Sequence, residues 1–171
     1  MLDTIRRILA PVPVASTQRA LDRLFETVAD RLNSVTLQSG ALAIKAGGSA
    51  LVKVGSRWEG LAGGIPLFKA ANTDMAALSG TVTNAKFNVF CYFVTAAGTL
   101  STVMGTEGAT YAAVKFPEKP IGSAMIGYTL INPTGTGNFV GGTTPIDDAT
   151  VAPNAVHVNT VGASDPNFLL S

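Results

Sequence analysis

The 171-residue chain reads as a mainly β protein, an antiparallel β-sandwich or barrel preceded by an extended N-terminal arm and one amphipathic α-helix. Three observations predict this class. After residue 35, short β-branched and aromatic runs alternate with glycine-rich turn signals. A single stretch before them carries a 3.6-residue apolar period. Ahead of that stretch, closely spaced prolines disfavour helix and remove backbone donors. The expected divisions are an arm over 1–15, a helix over 16–34, and a β-domain with a C-terminal tail over 35–171.

The arm is read from Ala10-Pro-Val-Pro-Val-Ala15, where Pro11, Val12, Pro13 and Val14 suit an extended segment that lies on a partner surface. The helix is expected from Ser16 or Thr17, either able to cap it. Leu21, Leu24, Phe25, Val28 and Leu32 form one stripe at helical spacing, while Arg19, Asp22, Arg23, Glu26, Asp30 and Arg31 occupy the remaining surface. The stripe has three readings: packing on the chain's own β-domain, association with copies of itself, or contact with a membrane surface. Its spacing fits a coiled-coil seam for about two heptads.

Strands are expected at 41–45, 50–54, 87–95, 99–104, 125–131 and 155–159. Turns are expected at Gly47-Gly48, Gly63-Gly64, Ala97-Gly98, Asn132-Pro-Thr-Gly135 and Gly141-Gly142. Thr73 to Gly80 reads as one short helical turn, capped by Thr73 or Asp74. Strands so spaced, without helices between them, favour an antiparallel sheet over a parallel one.

Composition narrows function. Charged residues make up 13% of the chain against 47% hydrophobic, where ordinary domains carry about 25% charged residues. Part of this surface is therefore expected to be covered by something other than water. The longest apolar run, Val89 to Val94, is far short of the ~18 residues a spanning helix needs, and basic residues inside the first apolar stretch argue against a secretory signal. A formal net charge of +1 lacks the basic footprint of a nucleic-acid binder. A lone cysteine, Cys91, excludes an intramolecular disulfide and agrees with a reducing compartment. No nucleic acid, membrane, metal or cofactor is expected as a partner.

Titratable chemistry is sparse. His157 is the single histidine, and its place in Val156-His-Val158 predicts a side chain facing solvent or a partner. Cys91 reads as a small buried hydrophobe. Gly135 to Gly142 superficially resembles a phosphate loop, but Phe139-Val140 is followed by a double glycine, Thr143, Thr144 and Pro145, where no helix can start productively, so a β-turn or bulge is expected. Asp147-Asp148 lacks EF-hand spacing and reads as a structural or solvated loop. Trp58, Tyr92, Tyr111 and Tyr128 read as core rather than a sugar platform. No enzyme activity and no catalytic residues are expected.

Several stretches carry a likeness between about Ala41 and Pro166. They are Gly80-Thr-Val-Thr-Asn-Ala-Lys-Phe-Asn-Val-Phe90, Gly98-Thr-Leu, Met104-Gly-Thr-Glu-Gly-Ala109, Ile126-Gly, and Ile131 through Thr144. Asp147 through Val156, continuing as Asn159-Thr-Val-Gly-Ala-Ser-Asp-Pro166, completes them. In these the chain resembles a group of small bacteriophage and prophage structural proteins. The resemblance implies a virion component on the capsid exterior, assembled in the host cytoplasm, and carries over no catalytic or binding residue. A capsid decoration (cement) protein is the expected role, with the major capsid protein and copies of itself, as a homotrimer, for partners. A head-fibre, tail or receptor-binding module is the alternative, with Gly135 to Thr144 as its exposed loop.

Overall fold

The computed structural model describes residues 14–134 and 136–162. The arm residues Pro11, Val12 and Pro13, and the C-terminal tail beyond 162, lie outside them. Among the described residues the protein is mainly β, with several antiparallel sheets, one α-helix and no closed barrel.

Helix α1 spans Val14–Asn33. It begins ahead of the expected cap, so Ser16 and Thr17 lie inside it, and Val14, assigned to the extended arm, is helical. A proline just before a helix is no obstacle, because the first-turn N–H groups have no intrahelical acceptor anyway.

Eleven strands follow among the described residues: β1 (Val35–Gln38), β2 (Leu42–Ile44), β3 (Val52–Val54), β4 (Trp58–Ala62), β5 (Ile65–Lys69), β6 (Thr81–Val82), β7 (Asn88–Thr95), β8 (Leu100–Met104), β9 (Ser123–Ile131), β10 (Phe139–Val140) and β11 (Val156–Asn159). The main sheet has the order β11-β9-β7-β8. A three-stranded sheet is ordered β1-β4-β5, and β2-β3 and β6-β10 form two-stranded pairs. All pairings are antiparallel.

β7 is the central strand, and its apolar residues run continuously because both faces are covered, as in any strand buried on two sides. Phe90, Tyr92 and Val94 point to the larger core, where they meet Trp58, Val52, Val54, Ile126 and Phe139. Val89, Cys91 and Phe93 point the other way into a second core with Val114, Phe116, Met125 and Tyr128. That second face is roofed by the 105–117 segment, tied down through the Phe87/Gly108 and Thr106/Lys115 bridges. Phe116 meets Tyr128 edge-on at 5.0 Å between ring centroids.

The helical turn expected at Thr73 to Gly80 is absent. The segment instead runs along β3, with Met75 N donating to Val52 O at 2.9 Å and Val54 N donating to Thr73 O at 2.8 Å. Met75 and Leu78 are sunk in the core. Eight residues are too few to nucleate a helix against such pairing. At Gly63-Gly64 both residues have positive φ, 56° and 78°, the backbone a tight two-residue hairpin turn demands, and they join β4 to β5.

Candidate interaction surface

The sequence gives α1 an apolar stripe, and the fold leaves it exposed. Every described side chain from Thr17 to Ala29 is exposed. Leu21, Leu24, Phe25, Val28 and Leu32 range from 42% to 71% exposed. At roughly 200 Å² for each large apolar residue, the stripe presents roughly 550 Å², the upper end of the largest apolar patch on a typical monomer. Among the described residues, packing on the chain's own β-domain, one of the three readings of the stripe, does not bury it.

The reason lies in which face of the helix meets the domain. Counting about 100° per residue, Asp30 lies opposite the centre of the stripe, and Asp30 is the anchor. Its Oδ1 accepts from Gly122 N at 2.8 Å, and its Oδ2 forms an ion pair with Lys119 Nζ. The Lys119 side chain is only 6% exposed and also donates to Ser123 O at 3.1 Å. The C-terminus of α1 is closed by the β4–β5 hairpin: Gly64 N donates to Asn33 O at 2.7 Å, and Gly63 N to Ser34 Oγ at 3.2 Å. The helix is thus gripped by its polar side and its last turn, and the stripe faces away from the domain. Above the anchor a cleft of about 790 Å³ separates helix from domain, lined by Glu26, Thr27, Asp30, Lys119 and Ile121 among others.

A second, smaller exposed apolar area lies on the outer face of the β1-β4-β5 sheet. Leu37 and Phe68 flank a groove of about 240 Å³. Arg57 lies over the Phe68 ring at 4.4 Å and pairs with Glu59 at 2.6 Å. Sequence reasoning missed this area, because β1, β4 and β5 were not read as strands; the alternation of Glu59, Leu61, Pro66 and Phe68 becomes visible only once the hairpin at Gly63-Gly64 sets their register.

The candidate chemical groups are engaged in the structure itself. His157 is half-buried, where the alternation predicted a side chain facing solvent or a partner. Its Nδ1 lies 2.7 Å from Thr129 Oγ1, which is in turn 2.7 Å from Tyr92 OH. Val156 is the exposed neighbour. The second core takes the Val158 side of β11 and leaves His157 on the side of Thr129. Desolvation holds the His157 pKa below its ordinary value. A small cavity of about 290 Å³ beside it is lined mainly by apolar groups, with Asp147 the charged one. Cys91 is fully buried, and burial pushes its thiol far up. It belongs to the opposite core from the Thr129–His157 contact, so the two groups do not meet.

Asp147 accepts from Gly48 N through both oxygens, at 3.1 and 3.0 Å. Asp148 Oδ1 accepts from Thr150 N and Val151 N. These are structural turn contacts, as the sequence suggested. Among the described residues no group of three or more His, Cys, Asp or Glu is placed to share a metal ion. Trp58 is buried with Nε1 donating to Thr36 Oγ1 at 3.2 Å, and Tyr111 and Tyr128 join hydroxyls at 3.1 Å. Within Gly135 to Thr144, Gly135 lies outside the described residues. Phe139 enters the core, and Thr143 N and Thr144 N both donate to Val140 O, giving a turn and not a helix N-terminus.

No helix among the described residues is long and apolar enough to cross a membrane. No family model, no curated protein and no solved structure matches the chain.

Proposed function

We propose that this chain is a bacteriophage virion structural protein of the capsid-decoration type, which binds an assembled capsid lattice and stabilises it. The reading rests on the resemblance in the β-domain and on one structural observation: the apolar stripe of α1 points away from its own domain, uncovered. A surface of that kind is completed only by assembly. The stabilisation is by mass action, since a protein that binds the lattice and not its separated subunits shifts the equilibrium by its binding free energy.

Copies of the same chain are the proposed cover for the stripe. Helices in proteins draw most of their stability from packing an amphipathic face, and the apolar face of α1 is left for a partner to pack. The stripe from Leu24 to Phe25 is about 100° wide, broader than the narrow seam of a two-stranded coil. Such a width lets each helix touch two others, which favours a homotrimer. Pro11, Val12 and Pro13, which precede α1 in the sequence, are proposed to reach the major capsid protein.

The test is binding of the purified protein to undecorated capsids, with capsid survival on heating as the readout. Bound protein with raised survival supports the decoration role, and removal of residues 1–15 should weaken binding. Binding to host cells or glycans without capsid binding would instead favour a fibre or receptor-binding module.

A further inference from the structure

We propose that Asp30, Lys119 and the Gly122 amide form an orientation latch that aims the apolar stripe of α1 at second copies of the chain. The latch fixes how the β-domains stand around the joined helices. This rests on the self-association reading above, but it concerns a different set of residues.

The latch stands on four observations. Asp30 lies on the side of the helix opposite the stripe. Both of its oxygens are engaged by the 119–122 segment, through Lys119 Nζ and Gly122 N. Lys119 is sunk against the domain, with its remaining contact to Ser123 O, so its ammonium has little water to turn to. Apart from these contacts, the described helix side chains before Asp30 are exposed, and the cleft between helix and domain is wide. The orientation of a helix about 30 Å long therefore depends on a few polar contacts near its base.

These contacts are specific in direction where apolar packing is not. Asp30 meets Lys119 Nζ, Gly122 N and Ser34 Oγ in one rotational setting of α1. In that setting the stripe faces outward. A latch of polar groups also avoids competition: the domain takes the polar face and leaves the entire apolar face to the partner helices. Asp30 and Lys119 are positioning residues, and the stripe supplies the contact.

The experiment compares the full chain with an Asp30→Asn/Lys119→Met double variant, which removes both charges together and leaves no lone buried ion. Sedimentation measures the assembly mass, small-angle X-ray scattering the overall dimensions, and near-ultraviolet circular dichroism from Trp58 and Tyr92 the integrity of the β-domain. The expected result is an unchanged mass and an unchanged dichroism spectrum, with the maximum dimension increased by on the order of 10 Å, as freed helices swing about Ser34. An intact β-domain with scattering identical to that of the parent chain would overturn the latch. Asp30→Asn alone, which keeps the side-chain shape, should give the same increase to a smaller extent if the double variant fails to fold; identical scattering for this variant would equally overturn it. If the parent chain is itself a monomer, the self-association reading falls, and the monomer's own scattering still decides the latch.

Discussion

His157 illustrates how a single residue acquires its chemistry from the sheet around it. Its ring is drawn in by Thr129, and burial depresses its pKa below the ordinary value of 6.5. Between the two values the unfolded chain binds a proton that the folded chain refuses, so stability rises with pH there. The contribution is therefore intact above about pH 6.5 and declines as pH falls below it. Urea unfolding at pH 7.5 and pH 5 should show this loss, and His157→Gln should remove most of the histidine-specific part of the slope. Asp147, the charged group that shares the cavity, remains in both proteins and cancels in the comparison. Thr129 sits between two partners, so Thr129→Val leaves Tyr92 OH and His157 Nδ1 each without one. The expected cost is about 1–3 kcal/mol, read from the denaturant midpoint. Gly127 is a tighter point still. A Cβ there would stand 2.3 Å from Val158 O and 2.7 Å from Leu42 Cδ1, so Gly127→Ala should destabilise by about 1–3 kcal/mol through forced separation of β9 and β11.

At the scale of elements, α1 differs by face: its polar face is held to its own domain through Asp30, and its apolar face is exposed, the face proposed above to meet copies of the chain. Its stability should depend on concentration. Amide exchange over residues 14–28 should be slow where the protein is associated and fast on dilution, while β7 and β9 stay protected throughout. Phe25→Glu together with Leu24→Glu should make exchange in α1 fast at every concentration and leave the unfolding midpoint of the β-domain within about 0.5 kcal/mol, since these side chains touch little of it. The elements also explain what was legible in the sequence. The helix announced itself through its stripe, and β7, β8, β9 and β11 through their β-branched and aromatic runs. β4 and β5 did not, because Gly60 interrupts one and Pro66 the other. Gly60 is needed where a Cβ would collide with Val35 O and the Trp58 ring, and Pro66 is tolerated because β5 is an edge strand. β6 and β10 are two residues each, too short to leave any period. The Thr73 to Gly80 turn was misread because cap and stop residues are local, while the β3 edge that claims its backbone is remote in sequence.

In the whole molecule, the scarcity of charge divides between two causes. Much of the β-domain's apolar content is consumed internally, by a main sheet covered on both faces. The remainder is surface, concentrated on α1 and, to a lesser degree, around Leu37 and Phe68. The stripe residues were legible from spacing alone, but their exposure was not, because spacing cannot say which side of a helix its own domain will grip. That is decided by Lys119 and Gly122, some ninety residues away. The central claim is that the stripe is covered by copies of the same chain. Sedimentation equilibrium of the full chain, beside the Leu24→Glu/Phe25→Glu variant, tests it most directly. The parent chain should sediment at three-copy mass and the variant at single-copy mass. A parent chain that sediments as a monomer across the concentration range, or a variant that associates as the parent does, would contradict it.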